Sequence, residues 1–216
     1  KWALHDAMEA AIDNIPQLDG KVWVFPDVSG SMHSPVTGVR KGSSTKVRCI
    51  DVAALVAAAV VRKNPSAGVC PFSDQVVNVN IKPRKSVLSN AQKLAALPSG
   101  GTNCSAPLAR LNERGETGDL VIYISDNESW VDSHARNSYG RPSATLAQWG
   151  VFKRRNPRAK LVCLELQPNA TTQAPDRHDV LNIGGFSDSV FSVIAAFSQS
   201  ALRPNHWVDA IERESI

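Results

Sequence analysis

Three short runs dominate the sequence: Lys21-Val-Trp-Val-Phe25, Asp119-Leu-Val-Ile-Tyr-Ile124 and Lys160-Leu-Val-Cys-Leu-Glu-Leu166. Each is nearly continuous in apolar residues and too short for a helix that must bury one face. A strand that is apolar at every position has both faces covered. Between the runs lie stretches with helical spacing, from Val47 to Arg62, Asn90 to Leu97, about Ala106 to Glu113 and Ser143 to about Arg155. Trp2 to Ile12, and Ser187 to Leu202 at the other end, have the same spacing. Ser89 is placed to cap the second of these helices, and Pro107 suits the first turn of the third. Ala67 to Phe72 and Gln75 to Val79 are expected to form a short hairpin pair, and Val180 to Ile183 a last strand. Buried strands alternating with helices predict an α/β fold, a doubly wound, mostly parallel sheet with helices on both faces. The 216 residues suit one such domain.

Several classes are excluded. The longest apolar run, Val52 to Val61, is too short to span a bilayer. Hydrophobic residues at 43% argue against a disordered chain. Cys49, Cys70, Cys104 and Cys163 have no CxxC spacing, so neither a zinc site nor a disulfide scaffold is indicated, and a reducing cytoplasm is the simplest home. The cysteines and Trp23, Trp130 and Trp149 read as packing residues. The chain starts at Lys1 without Met or a signal-peptide pattern, as expected for a piece of a longer protein.

In a doubly wound sheet, ligands sit beyond the carboxyl ends of the strands. After the first strand comes Asp27-Val-Ser29-Gly-Ser31, with a carboxylate and two hydroxyls at alternate positions. Ser99-Gly-Gly-Thr102-Asn-Cys-Ser105 presents another hydroxyl, and Ser125-Asp126-Asn-Glu128 follows the strongest strand with a second carboxylate. Hard oxygen donors without His or Cys suit Mg²⁺, Mn²⁺ or Ca²⁺ rather than zinc. They leave coordination positions for water or for an acidic group of a partner.

No GxSxG elbow, GxxxxGK[ST] loop or GxGxxG loop occurs, and Ser29 stands where a haloacid-dehalogenase-type phosphatase needs a second Asp. The reading is a binding module, not an enzyme. The net charge of +4 is unevenly spread. Tracts 33–49, 82–93 and 133–160 hold basic residues and no acid. Arg40, Lys41, Lys46, Arg154 and Arg155 are the expected contacts to RNA or another phosphate.

Asp27-Val-Ser-Gly-Ser31 with Thr102 and Asp126 resembles the metal-ion-dependent adhesion site of von Willebrand factor A domains. Phe72-Ser-Asp74, Gly100 to Ser105, Ser125 to Glu128, Ala159 to Cys163 and Asp179 to Phe186 are similar to the C-terminal half of Ro-type (TROVE) RNA-binding proteins. The resemblance covers roughly residues 15–200. It implies an A domain over 15–216, preceded at 1–14 by the last helix of a ring of helical repeats that is absent here. It also implies that Asp27, Ser29, Ser31, Thr102 and Asp126 hold a Mg²⁺-like ion. For the full-length protein it implies Y-type or other structured RNA, RNA quality control and an exoribonuclease partner, with no membrane. Two departures stand out: Pro26 precedes the first site carboxylate, and His33 to Ser44 is longer and more basic than the usual turn. An acidic protein ligand and an RNA phosphate therefore both remain open at the metal site.

Overall fold

The computed structural model describes residues 12, 15–38, 45–126, 144–167, 178–187 and 189–199. The strands are β1 (Val22–Pro26), β2 (Gly68–Val69), β3 (Leu120–Ser125), β4 (Lys160–Glu165) and β5 (Val180–Gly184). The helices are α1 (Cys49–Lys63), α2 (Val87–Ala95), α3 (Ala106–Glu113), α4 (Ala144–Arg155) and α5 (Ser189–Ser198), and a single 3-10 turn occupies Gly30–His33. The strands form one sheet in the order β2-β1-β3-β4-β5, and every pairing is parallel. The expected α/β architecture is therefore the one the chain adopts. Among the described residues, no helix is long and apolar enough to cross a membrane.

Strand alternation sorts the core into two layers. Val22, Val24, Leu120, Ile122, Val162 and Leu164 point to one face, where Ala53, Ala57 and Val60 of α1, Leu94 of α2 and Ile194 of α5 cover them. Phe25, Val121, Tyr123, Leu161 and Cys163 point to the other, under Leu108 of α3 and Trp149 and Phe152 of α4. The alanines of α1 explain its close seat on the sheet, since small side chains let the helix approach. All four cysteines are buried core residues and none forms a disulfide. Trp149 is fully buried and donates its indole N–H to Asp179 at 3.1 Å. Trp23 lies against Gly68, where a Cβ would come within 2.2 Å of the indole ring. Both tryptophans pack, as expected.

Several local expectations need correction. The pair expected as a hairpin is instead the two-residue β2, parallel to β1, followed by one antiparallel bridge between Phe72 and Val76. Ser86, not Ser89, caps α2: its hydroxyl accepts from Ser89 N at 3.2 Å, so the helix starts at Val87. The proline at 83 and the turn around it stop the chain from entering the helix earlier. β1 ends one residue later than expected, and Pro26 occupies its last position. There its ring supplies no amide to the ladder facing Cys70, while its carbonyl still accepts from Phe72 N at 3.1 Å. The expected helix over Trp2 to Ile12 lies outside the described residues apart from Ile12, as does Ser143.

Candidate metal centre

The parallel sheet places the carboxyl ends of β1 and β3 side by side, with Pro26 opposite Ile124. Asp27 and Asp126 are the first residues beyond these ends. Asp27 continues the ladder by donating its amide to Ile124 O at 2.9 Å. Its side chain is fully buried, and Asp126 is 6% exposed. The loop carrying Thr102 is tied at three points: to the Asp27 loop, to the segment after β2 and to β3. Gly30 N donates to Gly100 O at 2.9 Å, Asn103 N to Ser73 O at 2.8 Å, and the Tyr123 hydroxyl to Cys104 O at 2.7 Å. Thus Thr102 is carried to the same end of the sheet by a backbone fastened to the Asp27 loop and to β3. The structure brings together the loops that hold Asp27, Ser29, Ser31, Thr102 and Asp126.

The donors hold each other in place. Asp27 Oδ1 accepts from Ser29 N at 2.8 Å, and Asp27 Oδ2 from the Ser125 hydroxyl at 2.8 Å. The Ser29 and Ser31 hydroxyls are 3.2 Å apart. The Ser31 hydroxyl beside Asp126 works to lower that carboxyl's pKa, against burial. Ser29 is buried, while Ser31 and Thr102 are exposed, so the buried carboxylates share this end of the sheet with hydroxyl residues that meet solvent. Burial pushes the Asp27 carboxyl above its ordinary value, against the lowering effect of its Ser29 and Ser125 hydrogen bonds, and the Asp126 charge raises it further. Burial raises Asp126 as well. Two buried carboxylates that repel each other are an electrostatic demand for a cation.

The residue types fit a hard divalent ion, which takes carboxylate, hydroxyl and water oxygens. Among the described residues, no cluster of three or more His, Cys, Asp or Glu side chains is placed to hold a metal. The donor set here has only two acids, and its remaining members are hydroxyls.

Two residues that sequence reasoning undervalued belong to this surface. Ser125 orients Asp27, and its place as the last strand residue before Asp126 is the signal that could have found it. Asp74 reads from sequence as a solvated loop acid. Its carboxylate rests against the glycine pair of the third loop: a Cβ on Gly100 would stand 2.8 Å from both of its oxygens. That contact explains why two glycines stand before Thr102.

The expected phosphate contacts that the structure describes do not share one face. Lys46 is exposed near the amino end of α1. Arg48, in the same tract, is engaged in a fork with Asp51, at 3.0 and 2.7 Å. Arg154 and Arg155 end α4 at the opposite end of the sheet. There Arg155 donates to Asn112 Oδ1 at 3.0 Å and Glu116 O at 3.2 Å. Arg40, Lys41, Glu128, Trp130 and His134 lie outside the described residues.

The chain has counterparts among known proteins. Residues 21–198 match the family model of the Ro60 vWA domain. The chain is 30% identical over 200 residues to the RNA-binding protein RO60 of Deinococcus radiodurans, covering 91% of this chain and 35% of that protein. It thus spans about a third of the length of that relative. The crystal structure of the Deinococcus radiodurans RO (RSR) protein superimposes with a TM-score of 0.72 at 23% identity, over 93% of this chain and 38% of that one. That likeness is one of fold.

Proposed function

The chain belongs to the Ro60 vWA domain family, and from that premise we propose that it is a divalent-metal-dependent recognition module of a Ro-like RNA-binding protein. The observation that carries this reading is the buried pair Asp27 and Asp126, with Ser29, Ser31 and Thr102 on loops gathered at the same end of the sheet. These five residues would hold Mg²⁺, or Mn²⁺ or Ca²⁺, directly or through water. A bound ion would offer an open position to an acidic oxygen of the ligand. Ser125 and the Ser29 amide fix the Asp27 carboxylate, and the tethers to Gly100 and Cys104 keep the Thr102 loop in register with it. The module binds and does not turn over a substrate. In the whole protein it would serve the binding and quality control of small noncoding or structured RNA in the cytoplasm, beside an exoribonuclease partner.

A second reading is a metal-dependent protein-interaction domain with no RNA contact at the metal. The position of Arg154 and Arg155, far from the carboxylates, favours an acidic protein ligand there over an RNA phosphate. The test is Mn²⁺ titration of the chain by calorimetry and electron paramagnetic resonance, with Asp126→Ala and Thr102→Ala for comparison. One bound ion per wild-type chain, lost in Asp126→Ala and weakened in Thr102→Ala, is the expected result. Equal Mn²⁺ binding by all three proteins would overturn the assignment.

A further inference from the structure

Because all five strands run parallel, their amino ends gather at the end of the sheet remote from Asp27. The carboxyl end of α1 and the turn before α2 come to that same end. They bring Arg62, Lys82 and Arg84 together around one cleft, with Pro65 and Pro83 as its remaining walls. In sequence, Asp74 is the one acid between Asp51 and Glu113, and it sits at the other end of the sheet against Gly100. The segments that build the cleft are therefore of one sign. Among the described residues, no ion pair involves Lys82, Arg84 or Lys85.

The cleft is rigid. Lys85 N closes a turn onto Lys82 O at 2.9 Å, and Pro83 at its second position fixes the backbone. Asn90, 1% exposed, grips Lys82 from both sides: its amide donates to Lys82 O at 2.9 Å, and its carbonyl accepts from Lys82 N at 3.4 Å. The Arg62 guanidinium donates to Pro83 O at 3.2 Å, joining the helix end to the turn. Lys82 and Arg84 are exposed at the rim of this frame. Guanidinium forks suit phosphate, and proline rings with aliphatic stems suit the less polar faces of ribose and base.

We propose that this cleft is a metal-independent binding site for the phosphate backbone of single-stranded RNA, formed by Arg62, Lys82 and Arg84. The inference rests on the reading of the chain as part of an RNA-binding protein, but not on its metal site. It separates two tasks by the length of the sheet: an acidic ligand at the carboxyl end and nucleic acid at the amino end.

The experiment is fluorescence anisotropy of a labelled single-stranded RNA oligonucleotide against the chain, in EDTA, over a series of KCl concentrations. Lys82→Glu/Arg84→Glu is expected to weaken binding at least about tenfold and to make the slope of log affinity against log salt shallower by roughly 1.4, two phosphate contacts on a single strand. Lys82→Gln/Arg84→Gln should move both in the same direction by less. Added Mg²⁺ should not strengthen wild-type binding, since as a counterion it only competes for the phosphates. Unaltered affinity and slope in both cleft variants overturn the proposal. So does competition by polyglutamate, or by inorganic phosphate alone, as effective as competition by unlabelled RNA. RNA binding that needs Mg²⁺ and Asp27 but not Lys82 and Arg84 overturns it while leaving the metal-site reading intact. Loss of RNA in the cleft variants of a chain that binds no Mn²⁺ supports the cleft and removes the metal reading.

Discussion

Replacing Asp27 by Asn tests the buried carboxylate pair in two directions at once. Asparagine has nearly the same shape. Its carbonyl can keep the 2.8 Å bond from Ser29 N, and the Ser125 hydroxyl can reverse to accept from the new amide. The difference is the charge. Burial and the neighbouring Asp126 hold the Asp27 carboxyl above its ordinary value, so its ionised form opposes folding at neutral pH in the absence of metal. Removing that charge should raise the melting temperature in EDTA, each kcal/mol counting for about 2–4 °C in a domain of this size. With metal the sign reverses. Mg²⁺ at tenfold its dissociation constant stabilises the wild type by about 1.4 kcal/mol, and Asp27→Asn loses this gain. Differential scanning calorimetry of both proteins in EDTA and in Mg²⁺ reads all four states. The expected pattern is a variant that melts above wild type in EDTA and does not respond to Mg²⁺, beside a wild type that rises by several degrees. A variant less stable than wild type in EDTA would refute the claim that the buried charge is costly. A variant that responds to Mg²⁺ as wild type does would refute the metal assignment.

The Mg²⁺-dependent rise in melting temperature should shrink as pH falls, because protons compete for Asp27 and Asp126. Their native pKa values are raised above 3.8, so in the metal-free protein these groups favour folding fully below that value and lose the contribution as pH rises through the native values. Calorimetry between neutral and acid pH, with and without Mg²⁺, reads both trends, and a metal effect independent of pH would contradict them. Trp149→Phe removes the indole donor 3.1 Å from Asp179, a carboxylate 2% exposed, and leaves a void beside Phe152. It should cost about 2–4 kcal/mol in urea unfolding with an unchanged m value, and a loss near zero would show that Lys153, at 3.7 Å, suffices for Asp179. The Cys49 and Cys70 thiols are pushed up to about 11 by burial, and Cys163 is raised well above its ordinary value. All four thiols should stay silent to a disulfide reagent at mildly alkaline pH until denaturant is added, and rapid labelling of the native chain would place one of them at the surface.

The apolar runs of β1, β3 and β4 were legible because a strand covered on both faces leaves no polar position to confuse it. The hydroxyls and carboxylates after β1 and β3 were legible for a related reason: a doubly wound sheet delivers the loops at the carboxyl ends of its strands to one side. Local chemistry therefore determined the elements, the parallel sheet and the two site loops. The α2 start was misplaced by three residues because Ser86 and Ser89 are equally good caps in sequence. Only the turn fixed by Pro83 and Asn90 selects the first. Asp74 and Ser125 gained their roles from contacts across 26 and 98 residues of chain, which no local pattern encodes. The basic tracts show the limit most clearly. Sequence counts their charges, but whether Lys46, Arg62, Lys82 and Arg155 share a face depends on which ends of α1, α2 and α4 the parallel strands carry to which end of the sheet. Charge is a property of residues, whereas a charged surface is a property of their distances, and those were decided only by the tertiary fold.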